Sequence, residues 1–82
     1  MPDYDSKVQL TRLVTYTAPK DGILVLRAFP SGWAQAEIGG ILFYSCTPAN
    51  SASGNTVVAQ VPKGTDLFAN FENGDAYFVP YK

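Results

Sequence analysis

The chain has 82 residues and a mass of 8.9 kDa, which is one domain over residues 1–82 and allows only about 60–65% of the unfolded surface to be buried. Six Lys and Arg stand against seven Asp and Glu without clustering, for a formal charge of −1, which excludes the basic stripe that nucleic acid or an anionic membrane requires. One cysteine and no histidine exclude an intrachain disulfide, a zinc site of the common Cys/His type and any nucleophile–histidine pair.

The first ten residues, MPDYDSKVQL, lack the basic and apolar regions of a signal peptide, so no export leader is expected. VQLTRLVTY then alternates, with Val8, Leu10, Val14 and Tyr16 on one side and Gln9, Thr11 and Thr15 on the other. This pattern predicts a half-exposed strand over 7–17. A turn at Pro19, Asp21 and Gly22 delivers the chain into ILVLRAF, a strand over 23–29 that is apolar on both faces. Pro30, Ser31 and Gly32 are expected to close it, and a strand at 33–38 follows. Gly39 and Gly40 predict a tight reversal into ILFYSC, a strand over 41–47 that is also apolar on both faces. TPANSASGN, residues 47–55, reads as a long polar loop and the most flexible segment. Strands at 56–61, 67–71 and 76–81 complete the chain, with Asn73-Gly74 predicting a two-residue hairpin between the last two.

Turn signals at this spacing, with no sustained helical period, predict an all-β fold. The expected architecture is a compact antiparallel β-sandwich, jelly-roll-like, of seven or eight short strands. No segment approaches the ~18 apolar residues of a membrane span, so no membrane insertion is expected. A sandwich of one small chain covers one face of ILVLRAF and ILFYSC. The second face is therefore expected to meet another subunit, with Leu24, Leu26, Leu42 and Tyr44 at or near the contact and the opposite strand face in the core, or the two faces exchanged, and with folding coupled to assembly. Cys46 is expected inside, as a small buried hydrophobe.

Nothing in the chain spells out catalysis. Asp66, Glu72 and Asp75 fall close together in sequence and are weighed as a calcium site or a carboxylate pair, but they read as solvated turn residues. No glycine-rich phosphate loop appears. The protein is thus expected to be no enzyme and to use no cofactor or metal. Tyr4, Trp33, Tyr44, Phe71, Tyr77 and Tyr81 are weighed as a stacking platform for a sugar or a single strand of nucleic acid. Core or subunit contact is the simpler reading for each. Trp33, after Pro30-Ser31-Gly32 and between small residues, is the candidate for a ligand contact at a rim.

PDYDSKV, YTAPKDGILVL, VPKGTDLFANF and the terminal AYFVPYK, in that order, resemble a small β-sandwich module of bacteriophage and prophage tail fibres and receptor-binding proteins. That module is similar in plan to the trimeric jelly rolls of the tumour-necrosis-factor and complement-head type. The resemblance runs from Pro2 to Lys82 and implies a homotrimer in a virion, made in the host bacterial cytoplasm. Its implied role is a fibre tip, fibre segment or capsid decoration in host attachment, contacting other virion proteins and a host surface glycan or protein. A cellular carbohydrate-binding module is the alternative.

Overall fold

In the computed structural model, which describes residues 1–48, 50 and 54–82, six strands form one antiparallel sheet: β1 (Val8–Gln9), β2 (Thr15–Thr17), β3 (Gly22–Ile38), β4 (Ile41–Cys46), β5 (Asn55–Val61) and β6 (Asp66–Pro80). The all-β, antiparallel expectation holds. The strand count differs: two predicted pairs have each merged into one long strand, and the first predicted strand has divided. Part of the polar loop expected over 47–55, residues 49 and 51–53, lies outside the described residues.

The merging has a local cause. Ala28 pairs with Gly74 and Trp33 with Glu72, so residues 29–32 of β3 stand opposite the single residue Asn73 of β6. Ser31 and Asn73 both take positive φ, at 65° and 53°, and Asn73 Nδ2 donates to the Pro30 carbonyl at 2.6 Å. The conformation that made Asn73-Gly74 look like a hairpin is used for a bulge inside a continuous strand. A hairpin would have paired 67–71 with 76–81; each of those segments instead pairs with β3.

The bulge also corrects the phase of β6. Leu67 and Ala69 are buried before it, Ala76 and Phe78 after it, so the inward residues change from odd to even positions. In β3 the inward residues are Leu24, Leu26, Ala28, Ala34, Ala36 and Ile38. The sheet is therefore creased into two halves that share β3 and β6. One half adds β1 and β5, the other β2 and β4. Their inner faces meet in a single core, where the Tyr16 ring of one half lies 5.8 Å from the Phe78 ring of the other. Inner positions beside the crease are mostly small (Ala28, Ala34, Gly74, Ala76), whereas Leu24, Ile38, Leu67 and Phe78 fill the ends.

The N-terminal segment jogs at the same crease. Leu10 N–H donates to the Ala76 carbonyl at 2.9 Å and Leu13 N–H to that of Ala69 at 2.8 Å. Leu13 itself takes φ 63°, which divides the predicted strand over 7–17. Leu10 stays buried as expected, while Val14 is exposed.

Gly39 and Gly40, with φ 56° and 87°, form the two-residue reversal between β3 and β4, where two positive φ values match the twist of the paired strands. Gly22 has another role than the turn geometry expected of it. Its φ is not positive, and a Cβ there would stand 2.3 Å from the Val79 carbonyl oxygen and 2.8 Å from the Phe78 ring. The core approaches the backbone at that point. At the crease, Thr47 is buried and its Oγ1 donates to the Ala28 carbonyl at 3.0 Å. Among the described residues, no buried side-chain nitrogen or oxygen lacks a partner.

Candidate functional site

The pairing of β3 with β4 decides which side chains face outward. Ile38 is buried and pairs with Ile41 across the Gly39-Gly40 turn. Alternation from that point places Phe43 and Ser45 on the inner face and Leu42, Tyr44 and Cys46 on the outer one. Ser45 is buried, and its Oγ donates to the Asn55 carbonyl at 3.1 Å. Leu42 is 60% exposed, Tyr44 55%, and Ile41, beside the turn at the end of β4, 66%. Among the described residues, β4 pairs as a strand only with β3 and so stands at the edge of the sheet as well as presenting this apolar outer face. Partial desolvation on the sheet, and then the neighbouring Cys46, push the Tyr44 phenol above its usual range.

The four residues expected at a subunit contact thus separate. Leu24 and Leu26 are 1% and 0% exposed; they line the core of their own chain and are corrected from the contact. Their even positions face inward, opposite Phe78 and Ala76. Leu42 and Tyr44 remain outside. Cys46 is likewise corrected: it is exposed, opposite Trp33 in the β3–β4 register. Trp33 is half-buried on the outer face, flanked by Cys46 on β4 and Glu72 on β6.

The second face of ILVLRAF is covered in part by the chain's own N-terminal segment. Pro2 bridges to Tyr81, and Asp3 N–H donates to the Pro80 carbonyl at 2.7 Å. A 3-10 turn over Tyr4–Ser6 follows. Tyr4 and Lys7 then stand beside Val25, Arg27, Tyr77 and Val79 around a shallow cavity of about 190 Å3. Ile23 and Val79 are buried. Part of the face expected to meet another subunit is thus covered from within the chain, while Val25, Arg27 and Tyr77 stay half-buried and Phe29 exposed.

On the same face lies a pair that alternation alone did not reveal. Arg27 and Asp75 are opposite in register, and Arg27 donates from Nε to Asp75 Oδ1 at 2.8 Å and from Nη2 to Oδ2. The guanidinium carbon lies 5.2 Å from the centre of the Phe29 ring and 5.6 Å from that of Tyr77. Hydrogen bonding to Asp75 pushes the Arg27 pKa up, against the effect of burial. The two-pronged contact orients the pair. The other carboxylates weighed from sequence do not converge with it: Asp66 accepts from Thr17 Oγ1 at 2.7 Å in the other half of the sheet, and Glu72 is exposed beside Trp33. Among the described residues, no three His, Cys, Asp or Glu are grouped to hold a metal ion.

The chain matches no protein-family model, no curated protein and no solved structure. Its function is therefore to be sought in its own surfaces. A third feature belongs with them, a cavity of about 240 Å3 lined by Asp21, Gly22, Gln60, Val61, Pro62 and Tyr81. It lies where the turn into β3 meets the end of β5 and the C-terminal residues. Among the described residues, no helix is long and apolar enough to cross a membrane.

Proposed function

We propose that the chain is a non-enzymatic assembly module, a homotrimer that serves in a bacteriophage virion as a fibre tip, fibre segment or capsid decoration during host attachment. The observation behind the assembly is the outer face of β4, where Leu42 and Tyr44 stand exposed, with Ile41 exposed at the end of the same strand beside the turn. Three large apolar side chains more than half exposed on one short strand are what a subunit contact would use. The virion setting and the threefold rest on the resemblance of PDYDSKV, YTAPKDGILVL, VPKGTDLFANF and AYFVPYK to phage fibre modules. Leu42 and Tyr44 are the contact residues in this reading; Leu24 and Leu26 are its supporting core.

Hiding the exposed part of these three side chains, 55–66% of each, is worth about 3–5 kcal/mol per subunit at ~1.5–3 kcal/mol for a fully buried large side chain. Association costs are of similar size, so assembly is expected to depend on concentration. Light scattering across the micromolar range tests it. The expected mass is three times 8.9 kDa, about 27 kDa, falling to the mass of one chain in Leu42→Asp and Tyr44→Asp with the β-sheet circular dichroism unchanged. A parent protein that stays monomeric throughout the range refutes the proposal.

A further inference from the structure

The cavity at Asp21 combines three kinds of group at a fixed spacing. Asp21 Oδ1 accepts the Lys63 backbone N–H at 2.7 Å, so the carboxylate is held in place from the facing turn. The Asp21 carbonyl accepts the Tyr81 N–H at 2.9 Å, which fixes the backbone that carries the tyrosine ring. The turns themselves are tied together: Ala18 N–H donates to the Thr65 carbonyl at 3.0 Å and Gly64 N–H to that of Ala18 at 2.8 Å. Into this frame Gln60 brings an amide from β5, an edge strand among the described residues, and Pro62 adds apolar wall.

We infer that this cavity binds a single neutral sugar ring. A carboxylate accepts hydrogen bonds and an amide both donates and accepts, which matches a ring whose hydroxyls do both. An aromatic ring and a proline give the apolar C–H face of a pyranose a surface to lie on. A volume of about 240 Å3 falls below the ~300–1,000 Å3 of drug-sized sites, as suits one ring. Charge narrows the choice further. Asp21, the charged residue of the lining, disfavours an anion. The site is complete within one chain and lies apart from β4, so the inference does not depend on trimer formation.

Saturation-transfer NMR on the intact chain, with the methyl pyranosides of glucose, galactose, mannose and N-acetylglucosamine at about 10 mM each, tests it, since a single ring is expected to bind in the millimolar range. At least one glycoside should receive saturation. The effect should fall at least about fivefold in Tyr81→Ala, in Gln60→Ala and in Asp21→Asn, where Asn keeps an oxygen for Lys63 but places an amide where the second carboxylate oxygen stood. It should persist in Tyr44→Ala. Gln60 is exposed on an edge strand, so its variant keeps the test valid if Tyr81→Ala unfolds. Absence of transfer to every glycoside overturns the inference. So does a signal that survives Gln60→Ala and Asp21→Asn, or one that is lost only in Trp33→Ala.

Discussion

Leu26 and Leu42 look equivalent in sequence, each in an apolar run after a glycine, and the structure gives them opposite energetics. Leu26 is fully buried between Val57 on β5 and Ala76 on β6. Truncation to Ala leaves a cavity against rigid strand neighbours, a change that costs about 2–5 kcal/mol. A domain of 82 residues at ~0.05–0.15 kcal/mol per residue holds about 4–12 kcal/mol in total, so Leu26→Ala removes a large share. Leu42 is 60% exposed, and Leu42→Ala should stay within about 0.5 kcal/mol for the isolated chain. Urea unfolding below the association range, followed by the fluorescence of the single tryptophan, Trp33, separates them. With a urea slope of about 1–3 kcal/mol per molar, the Leu26→Ala midpoint should drop by about 1 M or more and that of Leu42→Ala by less than half as much. Equal shifts would sink the assignment of Leu26 to the core and Leu42 to the surface.

Cys46 should react with a disulfide reagent in the native protein at nearly the rate seen in denaturant; protection of tenfold or more would move it off the exposed face. Gly22→Ala forces a methyl group toward the Val79 carbonyl and the Phe78 ring and should cost about 1–3 kcal/mol, or roughly 4–20 °C of melting temperature at this size; an unchanged melt would show that the close approach is not real. Asp75→Ala removes both hydrogen-bond acceptors of Arg27, whose side chain is 41% exposed and can turn to water, so the loss should be about 1–2 kcal/mol, less than for a fully buried pair. Because the Arg27 pKa is raised, the stability it contributes is fully present below its unfolded pKa and is lost only as pH rises through the higher folded value. Chemical denaturation from neutral to mildly alkaline pH should accordingly show no step that disappears in Asp75→Ala.

The sequence disclosed the strand chemistry more readily than the strand connections. Gly39-Gly40 could be read directly, because two successive glycines between apolar runs offer the positive φ that a tight reversal needs. Asn73-Gly74 offered the same conformational freedom and was put to another use: Asn73 alone takes positive φ, at the bulge, while Gly74 is needed where the Arg27 carbonyl comes close. Leu13 carried no signal at all: a leucine at positive φ is set by the jog over the crease, not by its own preference. The inner and outer rows of β4 depend on the length of the turn before it, and a run such as Ile41-Leu42-Phe43-Tyr44 conceals that choice. Cys46 went to the outside and Ser45 to the inside for the same reason. The cavity at Asp21 assembles residues 21, 60–62 and 81, a grouping that sequence spacing does not announce.

Because β3 and β6 run through both halves of the sheet, pairing begun in one half leads directly into the other, and the order of events is set by chain separation. The Gly39-Gly40 reversal brings Ile38 to Ile41 with almost no loop to close. The first β3–β6 pair to become accessible is Ile38 with Leu67, 29 residues apart (67 − 38), and the last is Gly22 with Pro80, 58 apart (80 − 22). Doubling a loop adds only about 0.6 kcal/mol of closure entropy, so once Ile38 meets Leu67 the two strands can zip toward their far ends. They must then cross the crease, where four residues face one. Folding is expected to start beside the reversal and finish under the N-terminal segment, so that Ile38→Val slows folding while Val79→Ala mainly speeds unfolding in stopped-flow measurements.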